Sequence, residues 1–173
     1  LNLRNSESPR DLETIESWEI YLSDNISQNE NRDVDPLIEA RFDQGGGWNN
    51  LVESELGSNG YPAGCVAIAM SQIMHYWGHP ANGEGSNSYS DEGVDFEVNF
   101  SATDYNFGSM PPTTPSFPSQ QLILHTGVSV NMDYDNSGSG AAVEGVYPSA
   151  EYALENFFIY NDNIYPVYKE NYT

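Results

Sequence analysis

The single cysteine of the chain, Cys65, follows Gly64 and opens the run CVAIAMSQIMHYW. A thiol at that point sits in the first turn of a helix, among unpaired backbone N–H groups and at the positive end of the helix dipole. Such a position favours the thiolate, which is the nucleophilic form. The other use of such a residue is as a small hydrophobe packed under the helix start. One cysteine leaves no internal disulfide and no structural zinc site built on several thiolates. A second group of residues has ligand spacing. Asp133, Asp135, Ser137, Gly138 and Glu144 fall at positions 1, 3, 5, 6 and 12 of a calcium-loop pattern. Oxygen donors there suit a hard cation. Against it, Gly140 holds the eighth position in place of an apolar residue, and VSVNM ahead of the loop reads as strand rather than helix. No cofactor and no metal is assigned on this pattern.

The elements that must position these groups follow from periodicity. Val66, Ala69, Met70, Ile73, Met74 and Trp77 recur at helical spacing and predict a helix from about Cys65 to Trp77 with one complete apolar face. Pro62 and Gly64 precede it, and Gly78 with Pro80 stops it. VDFEVNF alternates and predicts a strand. Ser119 is a candidate N-cap for a helix holding Leu122, Ile123 and His125, and VSVNMDY reads as a short strand before the loop NSGSGAA. A third helix is expected from Pro148 to Phe158, with Leu154, Phe157 and Phe158 on one side. Gly45, Gly46 and Gly47 allow a sharp turn or a close approach of backbone. Upstream, Leu12, Ile15, Trp18 and Leu22 have the spacing of a short amphipathic helix, and SDNISQNENRDVD reads as a linker.

Composition narrows the function classes. Five Lys plus Arg against 26 Asp plus Glu give a formal charge of −21 in 173 residues. Phosphate binding needs clustered cations, so nucleic acid is excluded as a partner, and an anionic membrane surface for the same reason. No apolar run approaches the ~20 residues that cross a bilayer. LNLRNSESPRDLE lacks an apolar signal core, so any export signal is expected to have been removed already. High acidity with few Lys suits saline or extracellular surroundings.

The stretch YPAGCVAIAMSQIMHYWGHPANGEGSNSY resembles the nucleophile segment of the streptopain family of secreted bacterial cysteine peptidases. The shared features are a Gly-Cys-Val-Ala run, a small-residue helix with a Gln-Ile-Met step, then a proline and a Gly-Ser-Tyr-like loop. Upstream, VDPLIEARFDQGGGWNN matches the family's entry, and downstream TDYNFGSMP and VSVNMDYDNSGSGA match further motifs in order. The resemblance runs from Val34 to Tyr160. It implies an α+β papain-like fold in which this chain forms mainly the helical half. It implies Cys65 as nucleophile and Gln44 as the side-chain donor to an oxyanion hole, the Cys65 N–H being the second donor. The loop Ser137–Gly138–Ser139 corresponds to a substrate-side loop, and the acidic residues of the calcium-like pattern are absorbed by the same family loop.

The family also needs an imidazole that takes the Cys proton and later protonates the leaving amine. The Gly-His-Ala and Asn-Trp-Gly segments that supply it and its partner do not occur here. His75 stands ten residues from Cys65 on one helix, ~15 Å at 1.5 Å per residue. His79 lies past the helix stop, and His125 has no fixed direction, so all three read as surface or structural histidines. The resemblance therefore implies residues 1–33 as a propeptide tail or linker and residues 34–173 as the N-terminal part of a cysteine endopeptidase. Its partners would be a protein or peptide substrate and the C-terminal half of the same protease, either as a second polypeptide or as continuing chain. The expected setting is secreted, extracellular or at the cell surface. The rival reading is a non-catalytic binding or inhibitory module derived from such a peptidase. The peptidase reading further expects an apolar seam for the missing half, with Phe157, Phe158 and Tyr160 facing it.

Overall fold

A computed structural model describes residues 36–162 and residue 164. The expected amphipathic helix at Leu12–Leu22, the linker after it and the boundary at residue 33 lie outside the described residues. In chain order the elements are α1 (Asn50–Leu56), α2 (Cys65–Trp77), β1 (Ser86–Asp91), β2 (Val94–Asn99), two single 3-10 turns, α3 (Phe117–Ser129) and α4 (Ala150–Asn156). Among the described residues no helix is long and apolar enough to cross a membrane.

The centre is the packing of α2 on α3. Val66, Ala67, Met70 and Met74 of α2 are buried against Leu122, Ile123 and Val128 of α3 within one core. Ser71 on α2 and Thr126 on α3 are both fully buried, and their hydroxyls meet at 2.9 Å. The Thr126 hydroxyl also donates to the Ala67 carbonyl at 3.1 Å. Two buried hydroxyls that satisfy each other fix the helix register without leaving an orphan polar group.

A hairpin flanks this pair. β1 and β2 run antiparallel, with Asp91 opposite Val94 across a two-residue turn. Glu92 (φ 49°) and Gly93 (φ 78°) both take the left-handed conformation that such a tight hairpin turn requires. Along β2, Phe96 and Val98 turn inward while Asp95 and Glu97 stay out, as the alternation predicts. The hairpin is fastened to the end of α3 by Asn87, whose amide donates to the Val128 carbonyl at 2.6 Å. Tyr89 does the same to the Met132 carbonyl at 2.9 Å.

Helix α2 occupies the predicted span, but its apolar face is divided. Ala69 is exposed, and Ile73 and Trp77 are 37% and 66% exposed, whereas Ala67, Ile68 and Ser71 are buried in their place. The N-cap of α3 is Ser116, whose Oγ accepts from the Ser119 N–H. Ser119 is the return partner of a capping box, and Pro118 fits the helix start because its missing N–H would have no intrahelical partner. The expected strand at VSVNM is absent there. Val128 and Ser129 complete α3, and Val130 is its C-cap. Burial of Val128 and Val130, each 1% exposed, outweighs their β preference. The third helix is shorter than expected, Ala150–Asn156, and Phe157 is its C-cap. Phe157, Phe158 and Tyr160 do not face an open seam. Phe158 is fully buried, Phe157 packs on Phe100 at 4.8 Å between ring centroids, and the Tyr160 hydroxyl donates to the His79 carbonyl at 3.1 Å.

Candidate active site

Cys65 begins α2 and is exposed. The residue before it, Gly64, holds φ 90° and ψ 133°, a conformation essentially reserved for glycine. A Cβ at Gly64 would also lie 2.5 Å from Met132 Sδ and 2.6 Å from its Cε. The backbone therefore turns into α2 against the fully buried Met132, and that turn aims the first residue of the helix outward. The Gly64 carbonyl then accepts the Ile68 N–H at 3.1 Å, starting the helical ladder.

Gln44 is separated from Cys65 by 21 positions in sequence but not in space. Its carbonyl accepts the Ala63 N–H at 2.9 Å, which ties its segment to the approach of α2. Gln44 and Cys65 line one cavity of about 240 Å³ together with Phe42, Asp43, Ala69 and Gln72. The segment is anchored on its other side as well. Phe42 and Trp48 are buried with ring centroids 4.6 Å apart, and the Gln120 amide donates to the Gly47 carbonyl at 2.8 Å. Gly46 (φ 59°) and Gly47 (φ 93°) turn the chain away from Gln44 toward α1. A polar cavity of about 390 Å³ adjoins at Gln44 and runs past Asn49, Glu53 and Gly60 to Pro62.

On the other flank of Cys65 lies an apolar cleft of about 480 Å³. Its floor is Cys65, Ala69 and Ile73, one residue per turn of α2, and its walls include Val143, Leu154 and Ile164. Val143, Leu154 and Ile164 were not among the sequence-derived candidates, because nothing in their local pattern connects them to Cys65. Ala69 and Ile73 were visible, but their helical spacing read as core.

The loop at Ser137–Gly138–Ser139 packs on the same approach. Ser139 Oγ donates to the Pro62 carbonyl at 2.6 Å and is buried. The calcium-like spacing does not form a calcium-loop geometry. Asp133 and Gly140, the first and eighth positions, exchange two backbone hydrogen bonds of 2.9 and 3.0 Å as a bridge. The Asp135 carboxylate accepts from the Ser137 hydroxyl and N–H, which lowers its pKa. Among the described residues no three His, Cys, Asp or Glu side chains converge as a metal would require.

The histidines are engaged elsewhere. The His75 ring meets the Met110 carbonyl at 2.8 Å, and the His79 ring meets that of Ile159 at 3.3 Å. His125 is buried on α3 with its Nδ1 3.1 Å from the Tyr105 hydroxyl. Burial pushes its pKa down from 6.5 to about 4, so the ring is neutral near pH 7.

Comparison with known proteins bears on the family and the fold. Residues 42–173 match the Peptidase C10 family. Streptopain of Streptococcus pyogenes is 27% identical over 125 residues, covering 64% of this chain and 30% of streptopain. The thiol protease/hemagglutinin PrtT of Porphyromonas gingivalis is 31% identical over 116 residues, which is 61% of this chain and 13% of that protein. The chain thus spans less than a third of the length of either relative. Among solved structures, active wild-type interpain A, a cysteine protease of Prevotella intermedia, superposes with a TM-score of 0.57. The match covers 72% of this chain and 55% of interpain A at 24% identity. A prointerpain A fragment gives the same TM-score at 22% identity over 43% of its length. With the α+β papain-like fold in common and three quarters of the sequence matched by the family's pattern, this chain belongs to the Peptidase C10 family of cysteine peptidases.

Proposed function

We propose that this chain carries the nucleophile of a cysteine endopeptidase whose catalytic imidazole comes from a C-terminal part, on a second polypeptide or on continuing chain. The observation that carries the reading is the exposed thiol at the start of α2, sharing a cavity with an amide side chain from a distant segment. The Cys65 thiolate attacks the peptide carbonyl carbon, and the carbonyl π electrons move onto oxygen. The Gln44 amide and the Cys65 N–H donate to that oxyanion, where preorganised donors are worth most. Collapse of the intermediate expels the amine, which takes a proton from the imidazolium and leaves a thioester on Cys65. Water, deprotonated by the imidazole, then hydrolyses the thioester. The three histidines here are bonded elsewhere, which supports an imidazole from outside these residues.

The apolar cleft supports the same division of labour. Exposed Ile73 and Val143 line it, apolar surface that water alone would cover poorly. Its proposed cover is the C-terminal part, held by contacts. The proposed setting is outside the cell, where an acidic surface keeps the enzyme soluble. Mass spectrometry of the native protein, followed by peptide hydrolysis with and without iodoacetamide, tests the reading. The expected result is a second polypeptide or a longer chain, and hydrolysis that iodoacetamide and Cys65→Ala both abolish. A species of this chain alone that binds peptides without cleaving them would replace the enzyme with a binding module.

A further inference from the structure

Resting on the peptidase reading, we propose that the enzyme selects cationic peptides, the Lys or Arg side chains near the scissile bond being drawn to Asp43 and Glu53. Asp43 lines the cavity shared by Cys65 and Gln44, and Glu53 lines the polar cavity that adjoins at Gln44. The apolar cleft on the other flank carries Glu144 and Glu151. Among the described residues no Lys, Arg or His lines any of the three cavities. Arg41 is the only Lys or Arg among the described residues. Among the described residues, the charged side chains that line the three cavities are therefore all carboxylates.

Both carboxylates are oriented by backbone. Asp43 Oδ1 accepts the Gly45 N–H at 2.9 Å, and Glu53 Oε1 accepts the Gly60 N–H at 2.7 Å. Each bond uses one oxygen, so the group keeps its charge and its position while it has acceptor capacity for an ammonium or guanidinium. Charges of one sign lining a concave site raise the local concentration of oppositely charged substrate and speed its capture. An anionic peptide meets the reverse.

The test compares two fluorogenic peptides with one core sequence, one bearing two Lys and the other two Glu beside the cleaved bond. Each is assayed for kcat/KM with the protease in its complete, active form. The Lys peptide is expected to be preferred by at least about tenfold at low salt. That preference should collapse toward one between about 0.01 and 1 M ionic strength, as the Debye length shrinks from ~30 to ~3 Å. Asp43→Asn and Glu53→Gln keep an acceptor oxygen for Gly45 and Gly60 and remove only charge. Each should lower kcat/KM for the Lys peptide by about threefold and raise it for the Glu peptide by about threefold, the Coulomb effect of one charge across ~6 Å of water, so that the Lys-to-Glu ratio falls by about tenfold. Equal cleavage of the two peptides, or a preference that neither salt nor these variants changes, would overturn the charge selection. Iodoacetamide-sensitive cleavage of neither peptide would overturn the peptidase reading itself, and this inference with it.

Discussion

Gly64→Ala is the substitution that separates backbone geometry from everything else at the site. Two costs add. A residue with a Cβ at φ 90° and ψ 133° leaves the regions open to side chains, at roughly 1–3 kcal/mol. The new methyl would also sit 2.5 Å from Met132 Sδ, well inside contact distance. Met132 is fully buried, so its flexible thioether gives way only by disturbing its neighbours, a cost of about 1–3 kcal/mol for overpacking. The expected destabilisation is about 2–6 kcal/mol, measured by urea denaturation in a Cys65→Ala background to prevent self-digestion. Adding Met132→Ala should recover the packing part and leave the backbone part, giving a favourable coupling of about 1–3 kcal/mol. Activity in the Cys65 protein should fall further than stability explains, because the same turn fixes the Cys65 N–H. A shift below about 0.5 kcal/mol with full activity would refute the reasoning, since neither the dihedral nor the contact would then constrain the site.

Other expectations follow from single residues. Gln44→Ala should lower kcat by about 10²–10³-fold with little change in the denaturation midpoint, as loss of one oxyanion donor does. Cys65 should be alkylated by iodoacetamide without denaturant, because it is exposed; labelling only after unfolding, followed by mass spectrometry, would contradict its position. Ser116→Ala should cost about 0.5–2 kcal/mol by urea titration through loss of the α3 cap. His125 has a folded pKa of about 4, below the 6.5 of the unfolded chain. Its stabilising contribution is present above pH 6.5 and is lost as pH falls toward 4, by ~3 kcal/mol in all. His125→Phe should flatten that part of the stability–pH curve.

Much of the site was legible because its determinants are local. Gly64, Cys65 and the helical spacing after them lie within one stretch, and the span Cys65–Trp77 emerged as read. The α3 cap was misplaced by three residues because Ser116 and Ser119 cap reciprocally, and a serine pair presents the same letters at both positions. The strand expected at VSVNM failed for a different reason. Val128 and Val130 have strand preferences, but the position of α3 over the core buries them in a helix that their own propensities would not choose. Asp43, Glu144, Glu151 and the apolar residues that line cavities with Cys65 come from separate segments, and only tertiary packing brings Val143, Leu154 and Ile164 to Ala69.

The error on the face of α2 is the most instructive, since the residues read as one apolar stripe divide between two environments. Val66, Met70 and Met74 point into the core shared with α3. Cys65, Ala69 and Ile73, offset by one position, floor the open cleft, which Val66 and Met70 also reach at its edge with the core. Periodicity reports only that a helix side is apolar, and a helix apolar over more than one face is expected to be covered on more than one side. The stretch from Cys65 to Ile73 therefore carries the composition of a central helix, while the described residues cover only part of it. Cys65, the proposed nucleophile, stands at the edge of the uncovered part. A thiol in that position is open to substrate from the Gln44 side and to the proposed C-terminal part from the Ile73 side, so one helix is both the floor of the cleft and the mount of the proposed nucleophile.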